Sequence, residues 1–317
     1  MPRDILVVRL GAMGDILHTL PAVATLRRSF PQARLTWLIE PRWRPLLEGN
    51  PAVDEIAEFN RAGGLTGMWS SVRALRHRAR DVGIDFQGLI KSAAALRLAG
   101  PASRWGRRDP REFAARLFYT HTAQLPSGIH IVEQHLALAR AVGASVPDLS
   151  FPLPPGHPEG SLPDGPFVLA SPLAGWVSKQ WPMENYGELA TLLGRELGMP
   201  LVLNLAPGSE EAAAGVRQRV TLHISAIAGL IDATRRAAAV VGVDSGPLHL
   251  AAALAKPGVA LFGPTDPARN GPYGGSLTVI RSLGAETTYR RDGAYSQSMR
   301  AITPVEVFHR LRDFLLL

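Results

Sequence analysis

In the stretch ILVVRLGAMGDILHTLP, residues 5–21, Gly11 and Gly14 separate an apolar run from a segment carrying Asp15 and His18. Three residues apart, the acid and the imidazole share one face of a helix. A carboxylate at such a turn can take a proton from an attacking hydroxyl. It can equally cap the helix. His18 can touch a ligand or fill a helix–sheet interface. A second set lies in VVGVDSGPLHLAAAL, residues 240–254, where Asp244, Ser245 and Gly246 end a predicted strand and open a helix. The free N–H groups and partial positive charge of a helix N-terminus suit a phosphate. His249, on the first turn, can add a proton donor. The plainer reading is that Asp244 and Ser245 cap the helix and His249 packs.

Three further loops follow strands in the second half. LFGPTDPARNGPYG, residues 261–274, turns on Gly263, Pro264 and Pro267, and its Thr265 and Asp266 can cap or touch a ligand. SPLAGWVSKQWP, residues 171–182, sets Lys179 before a helix that starts near Pro182, where it can neutralise a leaving phosphate; a lone lysine is more often a surface residue. LAPGSEE, residues 205–211, carries Glu210, which can accept from ribose hydroxyls or favour its own first helical turn. In the first half, DFQGLIKSAAALRLAG, residues 85–100, brings Asp85, Gln87, Gly88, Lys91 and Ser92 to the end of a strand. Lys91 and the arginines beyond it suit an anionic acceptor.

These loops need a scaffold, and the composition says which kind. A length of 317 residues suggests two domains. Hydrophobic residues make up 46%, enough for a sizeable core and against disorder. No apolar run approaches the roughly 18 to 20 residues of a membrane span, and ILVV is too short for a signal-peptide core, so a cytoplasmic protein is expected. Cysteine is absent, which excludes disulfides, iron–sulfur clusters and thiolate zinc sites. The net charge of +7 attracts anions such as phospholipid, phosphorylated sugars or nucleic acid. Solvated faces of an arginine-rich chain explain it as well. Nucleic acid fits poorly, because the arginines are not interleaved with a stacking platform.

Strands are expected at 5–9, 33–39, 54–59 and 82–86, with helices at about 15–29, 42–49 and 67–80 between them and another over IVEQHLALARAVG. Strands alternating with helices imply βαβ units and a parallel sheet. SFPLPPGHPEGSLPDGP, residues 150–166, holds six prolines and three glycines and reads as the domain linker. The pattern then restarts: strands at 167–171, 200–206, 220–224, 239–244 and 258–263, and helices at 183–197, 209–219, 225–238 and 246–255. The divisions are 1–155 and 156–317. TPVEVFHRLRDFLLL closes the chain as an amphipathic helix with Thr303 as N-cap and Pro304 in its first turn. Ligands of doubly wound sheets sit beyond the carboxyl ends of the strands, where all the polar loops above fall.

Taken together, MGDILHTLPA, DFQGLIKSA, SKQWP, VDSGPLHLAAAL and FGPTDP resemble the heptosyltransferases, glycosyltransferase family 9, which move heptose from ADP-heptose onto lipopolysaccharide. DFQGLIKSA is most similar to the branch that adds the first heptose to the Kdo sugars of lipid A. The resemblance implies an α/β GT-B fold: two Rossmann-like domains facing a central cleft, acceptor in the N-terminal one and donor in the C-terminal one. It allows the terminal helix, 303–317, to cross back onto the N-terminal domain. It implies an inverting reaction without metal or cofactor, on an anionic glycolipid at the inner-membrane surface. Asp15 becomes the general base and Lys179 the cation on the donor phosphates. Glu210, Asp244, Ser245, Gly246, His249 and Thr265 fall on the donor, and Met13, Gly14, His18, Gln87, Lys91, Ser92 and Arg104 on the acceptor. Arg97, Arg104, Arg107, Arg108 and Arg111 become contacts for lipid phosphates.

The residues agree with that chemistry. One displacement needs one base, and pre-placed cations and N–H groups stabilise a departing nucleotide. VGVDSG offers a single acid rather than the acidic pair of a metal-held diphosphate. The chain departs from the family at Ala174 and Gly175, where hydroxyl residues often precede the lysine. The alternatives are a relative using another nucleotide sugar or a later core acceptor, and a nucleotide-binding module without catalysis, which has no need of a base. A nicotinamide enzyme built on LGAMG lacks the third glycine of its fingerprint.

Overall fold

The computed structural model describes residues 1–288, 291 and 293–316. The chain forms two compact units, Met1–Pro154 and Pro155–Leu317. The first contains β1 (Asp4–Val8), α1 (Met13–Ser29), β2 (Arg34–Ile39), β3 (Glu55–Glu58), α2 (Gly64–Ala74), β4 (Val82–Asp85), α3 (Ile90–Ala99), β5 (Ser103–Arg107), β6 (His121–Ala123) and α4 (Ile131–Ala141). Its six strands are parallel, in the order β3-β2-β1-β4-β5-β6. Every residue of β1 is buried, as an apolar run with helices on both faces of its sheet requires. α1 carries Ile16, Leu17, Leu20 and Val23 into the interior and packs along α4.

The second unit contains β7 (Val168–Ser171), α5 (Met183–Leu197), β8 (Leu201–Leu205), β9 (Thr221–Ile224), α6 (Ile227–Arg236), β10 (Ala239–Val243), α7 (Gly246–Ala253), β11 (Gly258–Phe262), α8 (Pro267–Asn270), β12 (Leu277–Arg281), α9 (Gln297–Arg300) and α10 (Pro304–Leu315). Its parallel sheet runs β12-β11-β10-β7-β8-β9. Counted within its own unit, each sheet has the same doubly wound order, and in each the winding reverses between the first and fourth strands, the position at which such sheets bind ligands. In the first unit the reversal lies between β1 and β4, in the second between β7 and β10.

Several elements differ from the sequence reading. Residues 42–49 form a short 3-10 turn, Pro41–Leu46, because Pro41 and Pro45 each lack the N–H that a longer helix needs. The expected helix at 209–219 is likewise a 3-10 segment, Glu210–Val216, and the one at 67–80 ends at Ala74. Strands β5, β6 and β12 and helix α3 were not expected. β5 reads SRWGR, which has no apolar alternation, and β6 is only three residues long. The terminal helix packs within the second unit. Val307, Phe308 and Leu311 of α10 join Leu189 and Leu193 of α5 and Leu261 of β11 in one core. Just before it, the Ile302 carbonyl accepts 2.9 Å from the indole N–H of the fully buried Trp181.

The proline-rich connection has no helix or strand between α4 and β7, and it is tied to each unit separately. On one side Thr25 Oγ1 bonds both backbone groups of Asp148 at 3.0 Å, and Asn50 Nδ2 donates to the Pro152 carbonyl at 2.7 Å. On the other, Glu159 Oε2 accepts from the Ala226 N–H at 2.6 Å, at the start of α6.

Candidate active site

At the reversal point of the first unit, β1 is followed by Arg9 and Leu10 and the chain turns at Gly11 into α1. A Cβ on Gly11 would lie 2.7 Å from Trp43 Nε1, so only glycine lets the turn approach the indole this closely. Asp15 is on the first turn of α1. Its Oδ1 lies 2.8 Å from Arg9 Nη2, and its Oδ2 accepts from the Ala12 N–H at 3.4 Å. The carboxylate is 42% exposed while the Arg9 side chain is 6% exposed, so the cation is the buried partner and the acid faces outward. Arg9 Nη1 donates to the Phe86 carbonyl at 2.6 Å, which fixes the guanidinium against the end of β4.

The loop after β4 is organised by a buried acid. Asp85 Oδ1 accepts from the N–H groups of Gln87 (2.8 Å) and Gly88 (3.2 Å), and Oδ2 from Ser92 Oγ (2.8 Å) and Tyr119 Oη (2.7 Å). Burial pushes the Asp85 carboxyl above the usual range against the pull of these four donors. Gly88 has φ +69°, the left-handed conformation that this tight turn requires. Gln87 Oε1 then accepts from the Leu10 N–H at 2.9 Å, which stitches the β4 loop to the β1 loop.

At the reversal point of the second unit, Asp244 follows β10 and Ser245 is the residue from which α7 starts. Lys179 Nζ, from the loop after β7, lies 3.1 Å from Asp244 Oδ2. Thr265 Oγ1, from the loop after β11, donates to the same oxygen at 2.8 Å, and His249 Nε2 lies 3.6 Å from Oδ1. Burial works against the Asp244 carboxylate, but His249, Lys179 and Thr265 together outweigh it and hold the group well below the usual carboxylate range. Ser245 makes no side-chain cap, and its buried Oγ has no hydrogen-bond partner among the described residues. A buried hydroxyl left over beside free helix N–H groups, with an ammonium nearby, is a place built to receive anionic oxygens. The Lys179 ammonium also lies 4.9 Å from the centre of the Trp176 ring, and the Arg291 guanidinium 5.2 Å from it.

Known proteins place this arrangement. A sequence model of glycosyltransferase family 9 (heptosyltransferase) matches residues 68–296. Lipopolysaccharide heptosyltransferase 1 of Pseudomonas aeruginosa is 31% identical over 302 residues, covering 88% of this chain and 83% of that protein. The chain belongs to glycosyltransferase family 9. Lipopolysaccharide heptosyltransferase 2 of Escherichia coli is 29% identical, with 98% of each chain covered. The solved structure of the E. coli heptosyltransferase WaaC with ADP superposes with a TM-score of 0.80 at 27% identity, over 98% of this chain and 99% of that one. The two doubly wound units are therefore those of a GT-B glycosyltransferase.

Within this family 9 enzyme the sequence-derived residues divide. Lys179, Asp244, Thr265 and His249 converge as one cluster with Ser245 and Gly246 at the head of α7. Thr265 is 6% exposed and spends its hydroxyl on Asp244, so it supports that acid rather than reaching outward. Glu210 turns inward on its own loop, Oε1 accepting from the Gly208 N–H at 3.1 Å, which is the local capping role. On the other unit Gly14, Asp15 and Gln87 border the β1 and β4 loops. Lys91 lies 3.8 Å from Glu40, a nearly buried acid at the end of β2 that also faces Arg42 and Arg61.

Four residues expected to contact the acceptor are used internally instead. Ser92 is fully buried on Asp85 and also donates to the Leu89 carbonyl; Met13 is 6% exposed. His18 is buried beside His130, their rings edge to face at 5.5 Å. Arg104 donates to the carbonyls of Phe118 (3.0 Å) and Pro101 (3.2 Å) and so holds backbone. Arg9 and Glu40 were not singled out by sequence. A charged residue directly after an apolar strand, before a glycine turn, is the signal that Arg9 offered.

Proposed function

We propose that this enzyme transfers heptose from ADP-heptose to a Kdo-lipid A acceptor in lipopolysaccharide core synthesis, with inversion and without a metal. The observation that carries this reading is the second-unit cluster, where the Lys179–Asp244 pair stands at the head of α7 beside Ser245, whose buried hydroxyl has no partner among the described residues. The adenine nucleotide is drawn from structures of matched architecture, E. coli WaaC with ADP and with ADP-2-deoxy-2-fluoro heptose. The acceptor is drawn from the lipopolysaccharide heptosyltransferases that the chain matches over most of its length.

On this reading the acceptor hydroxyl oxygen attacks the anomeric carbon as the bond to the diphosphate breaks. The hydroxyl proton passes to Asp15, whose outward carboxylate is aimed by Arg9. ADP leaves with its new negative charge met by Lys179, His249 and the N–H groups at the head of α7. Asp244 is a poor rival base, since its partners hold it ionised far below neutral pH. It orients Lys179 and meets the sugar hydroxyls. On this reading Lys179 takes the place a divalent cation would hold on the diphosphate. The acceptor being a lipid, the enzyme works at the cytoplasmic face of the inner membrane, with the exposed Arg97, Arg108 and Arg111 toward lipid phosphates.

The test is incubation with a panel of ADP- and UDP-sugars and Kdo-lipid A, the product identified by mass. A heptosylated product from ADP-heptose, formed equally in EDTA and lost in Asp15→Ala while ADP still binds, is the expected result. A product from a UDP-sugar, near-normal turnover by Asp15→Ala, or inactivation by EDTA that magnesium reverses overturns the corresponding part of the reading.

A further inference from the structure

Two strands along from β1 in the first sheet, β5 leads into a segment that its own unit does not cover. Residues Phe113–Phe118 form a 3-10 turn against α3, and of these six only Ala115 is fully buried. Phe113 is 73% exposed and Leu117 80%, and Ile90 at the start of α3 is 43% exposed. Ile90 adjoins them because its N–H donates to Glu112 Oε2 at 2.7 Å, which also occupies that acid. Arg111 and Arg116 are exposed alongside, the Arg116 guanidinium 5.9 Å from the centre of the Phe113 ring. Large apolar side chains exposed together and rimmed by cations are the pattern of a surface that enters the headgroup region of a bilayer.

We infer that Ile90, Phe113 and Leu117, flanked by Arg111 and Arg116, are an insertion anchor that seats the first unit on an anionic lipid bilayer. The charge of the rim selects the partner: four arginines, at 107, 108, 111 and 116, stand against Asp109 and the occupied Glu112. The place selects it too. The anchor follows the carboxyl end of β5, and the Asp15 loop follows the carboxyl end of β1 on the same edge of the sheet, two strands away. A lipid-borne acceptor would thus approach the edge of the sheet that carries Asp15. The inference rests on the proposed glycolipid acceptor for its purpose, but its test uses no acceptor.

The full chain is sedimented with vesicles of phosphatidylcholine and phosphatidylglycerol, and with phosphatidylcholine alone, over a range of salt. The wild type is expected to prefer the anionic vesicles and to keep part of its binding at high salt, where the electrostatic share is screened. Phe113→Ala with Leu117→Ala lowers the partition roughly ten- to hundredfold. Each of Arg111→Gln and Arg116→Gln lowers it about fivefold at low salt. Phe113→Leu with Leu117→Met restores binding, and unchanged ADP affinity and melting temperature show that the variants fold. Wild-type partition by the double alanine variant, or complete release of the wild type by salt, overturns the anchor. Loss of heptosyl transfer with vesicle binding intact overturns the proposed reaction instead.

Discussion

Asp15 and Asp244 are carboxylates with opposite surroundings. Asp244 is 12% exposed and is held by an ammonium, a hydroxyl and an imidazole, whereas Asp15 is 42% exposed and pairs with Arg9. The first is a fixed negative charge; the second faces outward, as the base of the proposed transfer must. Arg9 is then a positioning residue. Arg9→Ala should lower kcat by about 10- to 100-fold, the scale of a misplaced reacting group, with the donor KM unchanged and part of the rate returned by Arg9→Lys. An unchanged kcat would leave the guanidinium a structural role only. Lys179→Ala should instead lower kcat/KM for the donor by roughly two to three orders of magnitude, as the loss of a central electrostatic contact does; a loss below about tenfold would remove it from the diphosphate. Lys179, Asp244, Ser245 and His249 were legible because turn residues and a helix start mark them in the chain. Arg9 was not, because its meaning depends on the Phe86 carbonyl, 77 positions away.

At the scale of elements, α4 presses a histidine against α1. His135 is fully buried, its Nδ1 3.1 Å from the His18 carbonyl and 3.3 Å from Thr19 Oγ1. Burial, and then the Arg9 charge, push it down to about 3 from an ordinary 6.5. Between those values the unfolded chain takes up a proton that the folded one refuses. Its contribution is complete above pH 6.5 and is lost as pH falls toward 3. Unfolding free energies from urea titrations should therefore fall, as pH drops across that window, by up to about 1.4 kcal/mol per unit more in the wild type than in His135→Gln. Equal slopes would mean that the α1–α4 contact opens to admit the proton. The strands that form the centres of both sheets were readable as apolar runs, ILVV and AVVGV among them. β5 was not, since arginines occupy both ends of SRWGR and it becomes a strand by pairing with β4. The prolines of 41–46 set the limit on a helix that apolar spacing alone would extend.

Across the whole molecule, each unit has its own sheet and its own core, and the boundary between Pro154 and Pro155 lies in chain that each unit anchors for itself. Residues 155–317 produced alone should fold with a cooperative melt and bind ADP with the affinity of the full chain within about tenfold, as titration calorimetry would report; residues 1–154 should not bind it. Failure of the larger fragment to bind would mean that the nucleotide needs groups from both units. The second unit also joins distant parts of the chain through one indole. Trp181 stands two residues after Lys179, and its N–H is satisfied by Ile302, just ahead of α10. A premature stop that costs the protein only its last sixteen residues would remove Ile302 together with the apolar face of α10 and leave that indole N–H without its acceptor, so a lesion at the tail would be felt two residues from Lys179.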